Sequence, residues 1–410
     1  MVSTITFFKV RRTPPKARVG LHPKSPIMKS LTVRWPFLPL LIFLFLASSC
    51  DNEDDNASPS SEITDAQLDN LLEETMLANA NVPGMIALVD IPDQISWSGA
   101  AGTAQYETGV PMATDHQFFA ASLTKVMTAT IILQLMEQEA FTLYSPVADW
   151  LDIDLLDSLT TFNGVAYGEE LTFRHLLNHT SGIYDYLDNG SVHLEAFAND
   201  PERRYTLEDR VAIALERGSA MFRPGVDYFY SNTNYILLGM VIEAVTGRDI
   251  AEVFQERIFD PTGMTNTYLK PTATDLDRLC HGYYQDFDVT NFSTNFNYGS
   301  SAGGVVSTVD DLHSFMQYLS SGNMFLRSST LELMKSFNYA GSGFGLKSFF
   351  DREPFGLVWG YDGADPGYYC YMLYLEKQEG IIVFAGNRAE IEVDDTAYFV
   401  NKVIEALAQQ

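Results

Sequence analysis

Cysteine is scarce in this chain, with three in 410 residues: Cys50, Cys280 and Cys370. Export would permit a disulfide between Cys280 and Cys370, 90 residues apart, without demanding one, and no metal-ligand spacing is present. Histidine is scarce too, at seven. His175 and His179 are four apart, but Thr180-Ser181-Gly182 ends their helix and no third ligand is apparent, so no metal site is expected. Positive charge is in short supply, 26 Lys and Arg against 53 Asp and Glu. The first 49 residues hold eight of the basic residues and no acidic one, so the remainder carries 18 against 53, a net −35. Such a field repels nucleic acid and anionic surfaces, and no nucleic-acid partner is expected. Long apolar runs are missing as well. The run Pro36 to Ala47 falls short of the roughly 20 residues that cross a bilayer.

What is present first is a leader. Met28 to Cys50 has basic Lys29 and Arg34, then the apolar run, then small residues ending at Cys50. Leu46-Ala47-Ser48-Ser49-Cys50 resembles a bacterial lipoprotein cleavage box, with Cys50 as the lipidated first residue. The alternatives are an uncleaved membrane anchor or a signal cut elsewhere. Residues 1–27 are of no signal type, and translation is expected to start at Met28. Residues 51–62 form an acidic tether, which resembles surface-export signals of some lipoproteins or serves as a plain spacer. The expected division is therefore 1–49 leader, 50–62 tether and 63–408 folded domain. The protein would be exported and lipid-anchored in the bacterial cell envelope. Periplasmic or surface exposure, and the oligomeric state, stay open.

The domain is long enough for two subdomains sharing a cleft. Gly84 to Ile91 reads as a buried strand with Ile95 to Gly99 as its hairpin partner. Helices are expected after Ser122 to about Gln138, over Leu171 to Asn178, after Thr206 and over Asn234 to Val245. A further helix is expected after Thr308, with Thr206-x-x-Asp209 and Thr308-x-x-Asp311 read as capping boxes. Gly343 to Phe350, Pro366 to Leu375 and Gly380 to Ala385 read as β-rich, before a last helix from about Asp394 to Leu407. Strands at both ends and helices between argue for an α+β fold, an antiparallel sheet with a mostly helical subdomain. The aromatic stretch His281 to Tyr298 reads equally as a pocket wall, a lid or a loop packed on the core.

Ser122-Leu-Thr-Lys125 is the chain's single Ser-x-x-Lys. A serine hydroxyl is a weak nucleophile until a base takes its proton. On a helix, i and i+3 share a face, and a buried lysine lowers its pKa readily. The plain alternative is that Ser122 only caps a helix. Tyr230 in Tyr230-Ser-Asn232 is a candidate base or relay for Ser122, and Asn232 a candidate to hold Lys125 and the substrate. Gly360-Tyr361-Asp-Gly363-Ala364 suits a strand along the cleft, where the amides of Ala364 and Ser122 would form an oxyanion hole.

These motifs resemble the serine β-lactamase and penicillin-binding enzymes, in the branch of class C β-lactamases, D-alanyl-D-alanine carboxypeptidases and related esterases. Arg174 to Gly182, Arg223-Pro-Gly225, Tyr235 to Gly239 and Ser301 to Thr308 match as well. The resemblance covers roughly residues 63–408. It implies a β-lactamase/DD-peptidase-like fold and an acyl-enzyme on Ser122, with Lys125 and Tyr230 moving protons and no cofactor. Asn232, Tyr361, Gly363 and Ala364 would bind a small-molecule or peptidoglycan-derived substrate. The alternative is a non-catalytic β-lactam or peptidoglycan sensor. One departure stands out: the family's third motif opens with Lys or His, and this chain has Tyr361. A neutral phenol attracts a substrate carboxylate poorly, which argues against an efficient β-lactamase. Tyr361 either positions substrate or packs beneath the site, and strand alternation turns Asp362 away from it.

Overall fold

The computed structural model describes residues 63–389 and 397–409. The expected leader, the tether and Cys50 lie outside the described residues. Among the described residues, no helix is long and apolar enough to cross a membrane.

Seven strands make one antiparallel sheet: β1 (Gly84–Ile91), β2 (Ile95–Gln105), β3 (Val110–Pro111), β4 (Lys347–Arg352), β5 (Gly356–Asp365), β6 (Tyr368–Leu375) and β7 (Gly380–Gly386). Their order is β3-β2-β1-β7-β6-β5-β4, so the first and last thirds of the chain meet where β1 pairs with β7. Five helices position the site or cover the sheet: α1 (Asp65–Ala78), α2 (Thr124–Glu137), α3 (Asn232–Thr246), α4 (Val309–Ser320) and α5 (Tyr398–Leu407).

Both faces of the sheet are covered, which explains why β7 is apolar throughout rather than alternating. Ile381, Val383 and Ala385 face one core with Leu312, Phe315 and Met316 of α4. Ile382 and Phe384 face the other, closed by α1 and α5. There Phe384 stacks on Phe399 with ring centres 5.2 Å apart.

The α+β fold and antiparallel sheet agree with the sequence reading. The helical part joins the sheet through one continuous core, which α2, α3 and α4 share with β5, β6 and β7. β2 runs on to Gln105, past the small residues that the sequence reading took as its end. The Thr206 capping box forms. That at Thr308 forms by half, because Asp311 turns its carboxylate to Thr267 and the Asn266 amide. His281 to Tyr298 holds a short hairpin and a helix, Thr290–Phe296, whose Phe292 and Phe296 pack on the core.

Candidate active site

Ser122 sits in a single 3₁₀ turn, Ala121–Leu123, that runs into α2. Its hydroxyl caps nothing. Ser122 Oγ lies 2.9 Å from Lys125 Nζ and 2.9 Å from Tyr230 Oη. Ala121, immediately before it, has φ of 45°, the left-handed region, at a cost of about 1–2 kcal/mol for a residue with a Cβ. Backbone strain of this kind gathers where a side chain must be aimed.

Lys125 is fully buried beneath Ser122, and Nζ also donates to the Ala302 carbonyl at 2.5 Å. Burial lowers its pKa to about 7, opposed by Asp185, with Lys347 lowering it further and Asp365 and Asp362 opposing. Near neutral pH much of it is therefore free amine, able to accept a proton. Tyr230 is pushed the other way. Enclosure by protein raises its pKa well above the usual phenol value, with the Ser122 hydroxyl partly opposing, so it rests as a neutral phenol. His179 lies against it, ring centres 4.5 Å apart. His179 Nδ1 accepts from the Ser231 amide at 3.2 Å, which assigns the ring proton to Nε2. Burial, and then Lys125, holds this imidazole neutral, its pKa well below the usual value. The residues flanking Gly182 and Tyr230 thus form one scaffold behind the phenol.

Asn232 does not hold Lys125, contrary to the sequence expectation. Its Nδ2 donates to both oxygens of Asp185, at 3.2 and 3.1 Å, and its backbone amide donates to Oδ1 at 3.0 Å. Lys125 already has Ser122 and the Ala302 carbonyl. Asp185 carries no local sequence signal and escaped the sequence reading.

Tyr361 is 2% exposed and packs under the site, so it offers a substrate almost no surface. It faces inward with Gly363, as strand alternation requires. A cation arrives by another route. Lys347 of β4 pairs in register with Gly360 and ion-pairs with Asp362. Its Nζ lies 4.8 Å from the Tyr361 ring centre and 5.8 Å from that of Tyr230. Asp362, on the other face of the strand as alternation requires, anchors a lysine beside the site. This placement depends on strand register, which no motif encodes.

At Gly363 the strand passes so close that a Cβ would lie 2.8 Å from the Ala120 carbonyl and 3.0 Å from the Ser122 amide nitrogen. Only glycine lets β5 approach the nucleophile's backbone in this way. Ala364, next along, borders a cavity described below. Cys280 and Cys370 are buried free thiols, and Cys370 Sγ donates to the Ala120 carbonyl at 3.2 Å. Glu107, His281 and Asp288 gather within ligand range of one another elsewhere and share no residue with this centre. A hydroxyl flanked by a deprotonatable amine and a neutral phenol is an arrangement that can activate a serine for acyl transfer.

The sequence pattern of the Beta-lactamase family matches residues 68–403. The chain belongs to the Beta-lactamase family. Among relatives of this Beta-lactamase family member, Penicillin-binding protein 4* of Bacillus subtilis (strain 168) is 28% identical over 321 residues, 72% of this chain and 65% of the relative. The D-aminopeptidase of Brucella anthropi is 27% identical over 300 residues, 71% of this chain and 54% of the relative. In both cases the chain spans less than two thirds of the relative's length. A D-stereospecific amidohydrolase from Streptomyces sp. superposes with a TM-score of 0.68 at 26% identity, over 81% of this chain and 97% of the other.

Proposed function

We propose that this chain is a serine hydrolase that passes an acyl group from an amide or ester to water through Ser122. The observation that carries the reading is the placement of Ser122 Oγ at 2.9 Å from both Lys125 and Tyr230. The lowered pKa of Lys125 supports the amine as the base. Lys125 takes the Ser122 proton as Oγ bonds to the substrate carbonyl carbon. The oxyanion lies against the amides of Ser122 and Ala364. The bond to the leaving nitrogen or oxygen then breaks, and the leaving group receives a proton through Tyr230, which Lys125 restores. Water attacks the acyl-enzyme, gives its proton to the same pair and releases the acid, and Ser122 regains its hydrogen. The names of the relatives, a D-aminopeptidase among them, favour amides. Export and lipidation at Cys50 rest on the leader sequence alone.

The test is intact-mass analysis with a chromogenic ester and a fluorescent penicillin. An acyl adduct that turns over, lost in Ser122→Ala with the fold intact, is expected. An adduct that forms and never turns over would favour the sensor reading, and stoichiometric labelling of Ser122→Ala would overturn the assignment.

A further inference from the structure

A cavity of about 230 Å³ is lined by Ala364 and Asp185, among others. Ala364 is one residue past Gly363, and the Asp185 carboxylate is the one that holds Asn232, so the cavity adjoins the Ser122 centre through these two residues without being lined by Ser122, Lys125 or Tyr230. Its apolar lining includes Leu187, Leu194, Phe197, Val289, Phe292 and Pro366. Closed apolar cavities of ~150 Å³ take up benzene, so this one has room for an aromatic or large branched side chain with atoms to spare.

Its lining holds the carboxyl groups of Asp185 and Asp365 and the imidazole of His193, with no Lys or Arg. Asp365 is engaged: His193 Nε2 lies 3.1 Å from Oδ1, and Asn297 donates to Oδ2. Asp185 is engaged unevenly. Oδ1 accepts the Asn232 amide at 3.0 Å, Asn232 Nδ2 at 3.2 Å and the Leu187 amide at 3.4 Å. Oδ2 accepts only Asn232 Nδ2, at 3.1 Å. A carboxylate has about four acceptor sites, two per oxygen, so Oδ2 keeps one for a further donor. No cation among the described residues stands within ion-pair distance of Asp185. A half-buried carboxylate lining a largely apolar chamber, with Lys125 acting on it only from beyond ion-pair distance, is complementary to an ammonium.

We infer that this cavity is the acyl-side subsite, where the acyl donor's bulky apolar side chain is buried and Asp185 Oδ2 receives its free α-ammonium. The substrates it fits are amides or peptides of an unblocked amino acid with an aromatic or large aliphatic side chain. The inference rests on the hydrolase reading above and deepens it. A single charge-assisted hydrogen bond at this depth changes the rate constant kcat/KM by about 10- to 100-fold.

The test uses the full chain and p-nitroanilides of phenylalanine (both enantiomers), N-acetyl-phenylalanine and alanine, with p-nitrophenyl acetate alongside. One unblocked phenylalanine enantiomer is expected to exceed both its N-acetyl form and the alanine anilide in kcat/KM by about tenfold or more. Asp185→Asn is expected to bring the unblocked-to-acetylated ratio close to one. If Ser122 turns over p-nitrophenyl acetate while the wild-type ratio is one or below, the subsite assignment falls and the hydrolase reading stands. If Ser122 takes up no acyl group from any of these compounds, both fall. The wild-type ratio decides the matter even if Asp185→Asn fails to fold.

Discussion

The Lys347–Asp362 pair offers a test in which two substitutions move one quantity in opposite directions. Lys347 lowers the pKa of Lys125 and Asp362 raises it. The two ammonium groups lie 5.3 and 5.8 Å from the Tyr230 ring centre, so they are at most about 11 Å apart. At an effective dielectric constant of about 20, two charges at that distance repel by about 1.5 kcal/mol, roughly one pKa unit. Lys347 is ion-paired and about a third exposed, which cuts the effect to about half a unit. A base works only when deprotonated, so the rate rises as pH passes through its pKa. In Lys347→Gln, Lys125 holds its proton more tightly, and the ascending limb of kcat/KM is expected to move up by about 0.5 pH unit. In Asp362→Asn, the opposing charge is gone and the limb is expected to move down by about 0.3 unit. The assay is hydrolysis of a p-nitrophenyl ester from about pH 5 to pH 10, fitted for the free enzyme. Loss of packing alone would shift both variants the same way. Equal-signed shifts, or none, would refute the electrostatic account of Lys125.

Other expectations follow from the same structure. Gly363→Ala drives a methyl into the Ala120 carbonyl and the Ser122 amide. Acylation measured by stopped flow is expected to fall about 100-fold or more, at a cost of about 1–3 kcal/mol in urea unfolding. Tyr230→Phe keeps the ring against His179 but removes the proton path, and kcat is expected to drop by about 10²- to 10⁴-fold with an unchanged melting temperature. Lys125 has a folded pKa of about 7 against 10.5 for an unperturbed lysine, so its burial penalty is present in full at low pH and fades as pH rises from about 7 to 10.5. Lys125→Met is therefore expected to flatten the rise of stability with pH across that window, read by urea midpoints. Phe384→Ala opens a hole under α5 and is expected to cost about 3–5 kcal/mol, measured by the same unfolding.

Much of the fold could be read from the chain because its signals are local. Gly247 after α3, the Thr206 cap and the all-apolar run of β7 each act on their own few residues. The nucleophile and its lysine were legible for the same reason, being a turn apart. Asp185 and Lys347 were not, and for Tyr361 the sequence offered packing beneath the site only as one of two readings. Each depends on which segments the sheet and the α3 turn bring together across long stretches of chain. Strand alternation placed Tyr361 and Gly363 on one face correctly, but it could not say that this face looks into the core. Lys347 comes from a strand whose register is fixed by pairing rather than by any residue pattern.

Ala121 points to a wider consequence. The serine's aim depends on a residue that would relax if its methyl were removed. Placing glycine there would relieve the left-handed conformation and ought to make the protein harder to unfold. The same change would leave the turn free to wander, so selection for robustness and selection for rate pull against each other at a single methyl group.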